Sequence, residues 1–305
     1  MRIWLAGAAA ALACALAAAG APGAAGALDV EATPDTVRVR QAGALVLAYR
    51  RTGVPAKPYV VELRSPAGVN VLRDNVADHL HHHGLMFAVT AGGVNFWEET
   101  PGSGTQTSLR TRPLRAGLLD SLEWRAPSAP APMMLEERRI EILRSPDPRA
   151  TLIAWRSDLT LPRGAGDPLR LDGAHYNGLG MRFVAEMDGG TFANADEDPG
   201  VVFRGEERLM RGRWCAYRAT VGGRPVTVAM FDHPANPRPA TWFTMPRPFG
   251  YLSATLRYHE EPVELRPGQR LTLRYGVAVW DGDAAPERIE SVGRAWLRQA
   301  GGGGR

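Results

Sequence analysis

Four of the seven histidines in this chain fall within five residues, at His79, His81, His82 and His83, directly before the apolar run Leu85 to Thr90. Imidazole titrates near neutrality, and each ring offers nitrogen atoms that donate, accept or bind metal. A dense group of them beside a rigid strand is how an acid/base or metal site is built. If Asp78 to Gly84 is extended, the two-residue period puts His79, His81 and His83 on one face and His82 on the other. Three imidazoles on a face can take a transition metal, with a further ligand from His175, His233, Asp232 or Glu98. The competing reading is a turn whose histidines satisfy backbone groups.

Two more polar clusters stand out. Asp232, His233, Asn236 and Arg238 follow the apolar run Val226 to Phe231, stiffened by three prolines. A rigid loop at a strand end is a usual place for binding groups, and Asp and Asn there can equally cap backbone donors. His175, Tyr176 and Arg182 surround Gly178 and Gly180, which permit tight turns, and the arginine can clamp a carboxylate or hydroxyls. No helix follows these glycines, so they are not a dinucleotide fingerprint. Trp97, Tyr176, Trp214 and Trp242 adjoin the clusters; such rings serve a core, or stack on the C–H face of a sugar.

The elements that must position these groups read as strands. Thr36 to Arg40, Ala44 to Tyr49 and Tyr59 to Leu63 open a meander, and Leu85 to Thr90 pairs with Val94 to Trp97 across Ala91-Gly92-Gly93. Ser108 to Arg115, Leu118 to Arg125, Met133 to Leu143 and Ala150 to Leu161 follow. The segment Asp188 to Gly200 reads as a loop, and Trp214 to Val221 with Pro225 to Phe231 as a hairpin. Leu252 to Tyr258 and Arg270 to Trp280 complete the set, the latter with Leu271, Leu273, Tyr275, Val277 and Val279 on one core face. Pro286 begins a helix in which Ile289, Val292 and Trp296 recur at helical spacing. Many short strands without a repeat or linker indicate one large antiparallel β-sandwich spanning residues 28–300, with a short C-terminal helix and a disordered tail at 301–305.

Residues 1–27 carry Arg2, an alanine-rich apolar run and an A-x-A site at Ala25-Gly26-Ala27, the pattern of a secretory signal. Export to the periplasm or the medium is expected, without stable membrane insertion once the signal is removed. Cys14 leaves a lipoprotein as the lesser alternative. Cys215 is then the only cysteine, which rules out an internal disulfide and makes it a buried apolar residue. The net charge is +4, yet the cations are scattered among acids and, except for Lys57, are all arginine. That pattern does not make a phosphate-binding face, and no nucleic-acid partner is expected.

The runs from Asp78 to Ala88 and Val94 to Trp97, with Tyr176 to Phe183, Trp214 to Tyr217, Ala229 to Arg238 and Leu273 to Gly282, resemble in order the DUF6807 family, whose members are often labelled methane oxygenase PmoA. The family pattern carries arginine where this chain has His83, which sets that side chain apart from the other three. The label implies a membrane-embedded subunit, whereas this chain holds no spanning run beyond its N-terminal segment. The histidine-glycine motif in a large β domain is also similar in style to the galactose-mutarotase-like supersandwich, whose members handle carbohydrates.

These readings converge on an exported, carbohydrate-active or sugar-binding protein. His79, His82, His175 and His233 serve as acid/base candidates with Asp232, while Asn95, Trp97, Glu98, Tyr176, Arg182, Asn236 and Arg238 hold a small-molecule or glycan substrate. No cofactor is required. The alternatives are a metal-dependent oxygenase or hydrolase using a transition metal at His79, His81 and His233, and a non-catalytic binding domain of the cell envelope.

Overall fold

The structure, a computed structural model, describes residues 26–74, 76–77 and 79–301. The expected signal segment and Cys14 lie outside these residues apart from Gly26 and Ala27, as does the expected tail apart from Gly301.

The fold is all-β and antiparallel, with one C-terminal helix, as the strand patterning predicts. A ten-stranded sheet runs in the order Leu28–Ala32, Thr36–Gln41, Ala44–Arg50, Tyr59–Leu63, Leu85–Ala88, Gly178–Arg182, Tyr251–Thr255, Thr241–Met245, Glu207–Met210 and Val201–Arg204. An eight-stranded sheet runs Thr191–Asn194, Trp214–Val221, Arg224–Asp232, Arg270–Asp281, Ala150–Thr160, Met134–Leu143, Gly117–Arg125 and Thr105–Leu114. A small sheet joins Val263–Leu265, Leu169–Asp172, Thr90–Ala91 and Val94–Asn95. Among the described residues no helix is long and apolar enough to cross a membrane.

The strand Arg270–Asp281 shows why two layers form. Leu273, Tyr275, Val277 and Val279 point into the core shared by the two large sheets. Ala278 and Trp280 point the other way, where they pack with Ala216, Ala229 and Phe231 against Ile289, Val292 and Trp296 of the helix Pro286–Ala300. Small residues on that outer face let the helix approach. A Cβ on Gly276 would stand 2.7 Å from the Trp296 ring. Leu271, partly buried near the strand's start, packs against the same core, so all five predicted residues face inward. Cys215 is fully buried, and burial pushes its thiol pKa far up, as an inert core residue requires.

Three local expectations are corrected. The segment Asp188 to Gly200 is not all loop, because Thr191–Asn194 pairs with Trp214–Val221 as an edge strand. The run Leu85 to Thr90 splits at Val89, sending Leu85–Ala88 to the large sheet and Thr90–Ala91 to the small one. The partner strand stops at Asn95, because the Asn95 side-chain oxygen accepts the backbone N–H groups of Trp97 and Glu98 at 2.8 and 3.0 Å and turns the chain. That break aims Trp97, Glu98 and Glu99 across the large sheet.

Candidate functional site

The site stands on the outer face of the ten-stranded sheet. Register puts Met86, Gly180 and Ser253 in one row and Arg182, Tyr251 and Met245 in the next. Residues directly opposite share a face, so these side chains all leave the same side of the sheet. Gly180 makes room there, since a Cβ would fall 1.9 Å from the Tyr251 hydroxyl and 3.1 Å from Trp97.

The histidine run closes over this face as a turn and is not extended. His79 N–H donates to Val76 O at 3.1 Å, and His82 N–H donates to His79 O at 2.9 Å. The expected division of faces therefore fails, because His79, His81 and His82 line one cavity together while His83 turns inward. The cavity, about 380 Å³, is completed by Trp97, Glu98, Tyr176, Glu207, Phe249 and Tyr251.

His82 is held on every side. Its ring stacks on His79 at 4.7 Å and on Tyr251 at 5.0 Å. Arg182 lies 3.1 Å from its Nδ1 and 3.3 Å above the centre of the Phe249 ring. A guanidinium only donates, so Nδ1 accepts and Nε2 carries the proton. Burial, followed by the charges of His81, His79 and Arg182, pushes His82 down to about 2, so the ring is neutral at working pH. His81 Nδ1 is 3.1 Å from Glu98 Oε2. Burial, with the charges of Lys57 and His79, holds His81 down to about 4, while burial raises the Glu98 carboxyl. The pair is a neutral imidazole beside a carboxyl of raised proton affinity.

On the opposite wall Tyr176 packs on Trp97 with ring centres 5.3 Å apart. Behind it His175 stacks on Phe203 at 3.5 Å and faces Glu207, with Nε2 to Oε2 at 3.6 Å, close enough for an ion pair and too long for a hydrogen bond. Burial lowers the His175 pKa, and Glu207 partly restores it. The Trp97 indole N–H and the Tyr251 hydroxyl are buried without a hydrogen-bond partner among the described residues. Both can donate to a bound acceptor.

Beneath the turn lies a network that the sequence does not announce. His83 Nδ1 is 2.8 Å from Asp74 Oδ1, and Nε2 is 2.8 Å from Glu99 Oε1. Carboxylates accept, so both ring nitrogens donate and His83 is an imidazolium. Burial opposes that charge, but the bonds to Asp74 and Glu99 outweigh it and raise the pKa. Lys57, wholly buried, donates to the same Glu99 oxygen at 2.6 Å. Burial lowers its pKa, and Glu99 opposes that shift. Tyr59 stacks on His83 at 4.4 Å and donates to Asp74 at 2.8 Å. The Lys57 segment is clamped on both sides, by Gln106 N–H to Ala56 O at 2.7 Å and by Arg138 to Pro58 O at 2.8 Å.

Two of the three predicted clusters meet at this cavity, and the third does not. Asn236 donates to Asp232 at 2.8 Å and to Arg274 O at 2.9 Å, and Ala240 N–H binds the other Asp232 oxygen at 2.9 Å. His233 Nδ1 accepts from Ala235 N–H at 3.0 Å, and its ring meets Trp296 at 5.6 Å. Arg238 donates to Leu256 O and Glu261 O at 3.2 and 2.7 Å. The loop thus builds the strand end beside the helix, and the trio His79, His81 and His233 does not assemble. Among the described residues no three or more His, Cys, Asp or Glu side chains are grouped to hold a metal ion. Asn95 is a turn cap, and Arg182, 1% exposed, stands behind His82 instead of reaching into the cavity. Of the neighbouring tryptophans, Trp242 is core and bonds Gly212 O at 2.7 Å, while Trp214 packs under the helix. Phe249 and Tyr251 escape sequence reasoning because neither belongs to a polar cluster, and Glu207 because the charged run Arg204 to Arg208 that holds it reads as a solvated turn. Lys57 had a signal, as the single lysine in an arginine-rich chain.

Fold and site together define an all-β antiparallel sandwich with a histidine-lined cavity on its largest sheet. The chain belongs to the family of unknown function DUF6807, whose model matches residues 36–294. No curated protein matches it. In structure it is weakly similar to the 4-alpha-glucanotransferase of Thermococcus litoralis, with 11% identity and a TM-score of 0.33 over 83% of this chain. It spans 39% of that enzyme's length. An assigned aldose 1-epimerase of Klebsiella pneumoniae gives 10% identity and a TM-score of 0.25 over 88% of this chain and 84% of that one. At these scores the likenesses say nothing about activity.

Proposed function

We propose that the cavity binds a saccharide and moves protons on it. The observation that carries this reading is the pairing of aromatic surface with unspent donors in one small space. Trp97, Tyr176 and Tyr251 offer faces or edges to the apolar side of a sugar ring, and the Trp97 N–H and Tyr251 hydroxyl await acceptors. His81 and Glu98 line the same cavity as a pair, and Glu207 lines it from the other wall with His175 behind it.

The residues divide the work. Glu98 is the proton-transfer group, its carboxyl raised by burial and its orientation set by His81. His82, neutral and with Nδ1 taken by Arg182, is a fixed hydrogen-bond donor that polarises a substrate oxygen and is not a base. His79 stacks against His82 and keeps it in place. His175 and Glu207 supply the second proton carrier from the other wall. Residues 1–27 act as the export signal in this reading, which places the protein where extracellular glycans are met.

The test is a thermal-shift screen against neutral and acidic mono- and oligosaccharides, repeated with Glu98→Gln and Tyr176→Ala. A ligand that raises the melting temperature of the native protein and fails to raise that of Tyr176→Ala supports the reading. Glu98→Gln should keep the binding and lose any turnover. Absence of a shift across the whole panel would sink it.

A further inference from the structure

We infer that the wall of the histidine cavity continues onto an apolar shelf built around Phe203, and that this shelf takes an aromatic aglycone, so that the ligands are aryl glycosides. The inference rests on the saccharide reading above and extends it from the sugar to the group attached to it.

Among the described residues five large apolar side chains are exposed, and three of them are consecutive at Val201, Val202 and Phe203. A contiguous exposed apolar patch marks a binding surface, where single exposed residues do not. Register places it. Val201 lies opposite Leu209, Leu209 opposite Phe243 and Phe243 opposite Ser253, so Val201 and Leu209 share the face on which Phe243 lines the cavity. Val202, opposite Arg208, leaves the other face and is not part of the shelf. The pairing then slips by one residue between Val202 and Arg204. Strict alternation would turn Phe203 and Arg204 to opposite faces. The bulge lets both serve the cavity side. Arg204 lines the cavity and donates to Glu207 at 2.7 Å, while Phe203 stacks on His175 at 3.5 Å. His175 in turn meets Tyr176 and Phe243, two cavity-lining rings, at 4.9 and 5.2 Å. Phe203 is thus joined to the cavity wall through one imidazole, and it remains 50% exposed. Bulges recur beside active sites because they re-aim side chains in this way.

The chemistry of the shelf selects its occupant. The cavity, about 380 Å³, lies near the lower end of the roughly 300–1,000 Å³ of small-ligand pockets, so a substituent on the bound sugar reaches the rim. Val201, Phe203 and Leu209 carry no side-chain atom that hydrogen-bonds, and the hydroxyls of a second sugar laid on them would lose water without a partner. An aromatic group instead extends the stack of Phe203 on His175 and gains apolar burial. Pairing with another chain is disfavoured, because the edge strand Val201–Arg204 has only four residues, is bulged and ends in arginine, all of which blunt a sheet edge.

Calorimetric titration of the full chain with paired methyl and phenyl glycosides of the common hexoses and pentoses, in both anomers, tests this. For at least one sugar both should bind, the phenyl glycoside at least ten-fold more tightly. Phe203→Ser should bring the two affinities within two-fold of each other while leaving that of the methyl glycoside within two-fold of its native value. A merely structural Phe203 would weaken both glycosides alike, and that result overturns the shelf. Should Phe203→Ser melt early, Val201→Asp, at a residue 72% exposed, must cut the same preference at least three-fold. Equal native affinity for methyl and phenyl glycosides, or a preference indifferent to both variants, overturns the shelf and leaves the saccharide reading standing. A disaccharide of the same sugar that matches the phenyl glycoside would make the shelf a second sugar subsite and overturn the aglycone assignment. A dimer in sedimentation that Phe203→Ser dissociates would make it an interface between copies and overturn it as well. No binding of either glycoside removes the saccharide reading, and this inference with it.

Discussion

The guanidinium of Arg182 lies 3.1 Å from Nδ1 of His82 and thereby decides which nitrogen of that imidazole carries the proton. Arg182 comes from a strand a hundred residues downstream of the histidine turn, and only the register of the large sheet brings the two together. Burial keeps this imidazole neutral, and the bond fixes it as an Nε2 donor.

From this bond follows a spectroscopic expectation. Nitrogen-15 correlation spectra of His82 should show a neutral ring protonated at Nε2 throughout the range from pH 5 to 8. Arg182→Met should release Nδ1 and raise the pKa of the ring, while burial and the neighbouring histidines still hold it below the ordinary value. A native His82 that gains a proton between pH 6 and 7 would contradict the assignment.

The depressed histidines set the acid limb of stability. His82 at about 2 and His81 at about 4 both lie below the unfolded value near 6.5. A lowered folded pKa contributes stability that is complete above pH 6.5 and lost as the pH falls, through 4 for His81 and on toward 2 for His82. Each proton taken up only by the unfolded chain adds about 1.4 kcal/mol per pH unit to that slope. Urea unfolding between pH 6 and 4.5 should therefore show a shallower decline for His82→Phe, by about one proton.

His83 works with the opposite sign. Its folded pKa is raised, so its contribution is complete below pH 6.5 and is lost as the pH climbs through the folded value. His83→Gln should destabilise the protein at pH 6 more than at pH 9. Equal losses at the two pH values would show that His83 is not an imidazolium.

Lys57 should prove costly to remove. Lys57→Met leaves Glu99 with His83 as its remaining buried cation, and breaking one side of a buried ion pair costs about 3–5 kcal/mol. Adding Glu99→Gln should recover part of that loss, which a double-mutant cycle of chemical denaturation would measure. Strict additivity would count against the network.

Gly180→Ala tests the shape of the cavity. The added Cβ must displace the Tyr251 hydroxyl, 1.9 Å away. Overpacking of this kind costs about 1–3 kcal/mol. Any saccharide that binds the native protein should bind this variant at least ten-fold more weakly by calorimetry. Unchanged affinity would place the ligand elsewhere.

The fold class is legible in the residues themselves. Alternation along Arg270 to Trp280, turn residues between the runs and the spacing of Ile289, Val292 and Trp296 determine an antiparallel sandwich with a terminal helix. These are local signals, written in residues that sit next to one another or one turn apart. The histidine run and the Tyr176–Arg182 turn likewise mark themselves by composition, and they meet. The asparagine loop at Asp232 carries the same kind of mark and goes elsewhere, because composition says that polar groups are present and not which face of which sheet they reach.

Pairing across distance belongs to the tertiary structure. A turn at His79 to His82, closed by two backbone bonds, replaced the extended run and sent His83 inward to Asp74 and Glu99. Sheet register then set Tyr251 and Arg182 side by side beneath His82. Protonation followed from those neighbours. An imidazole has no fixed role of its own, since burial and the donors and acceptors around it choose its charge and its tautomer, and those come from strands that the sequence leaves far apart.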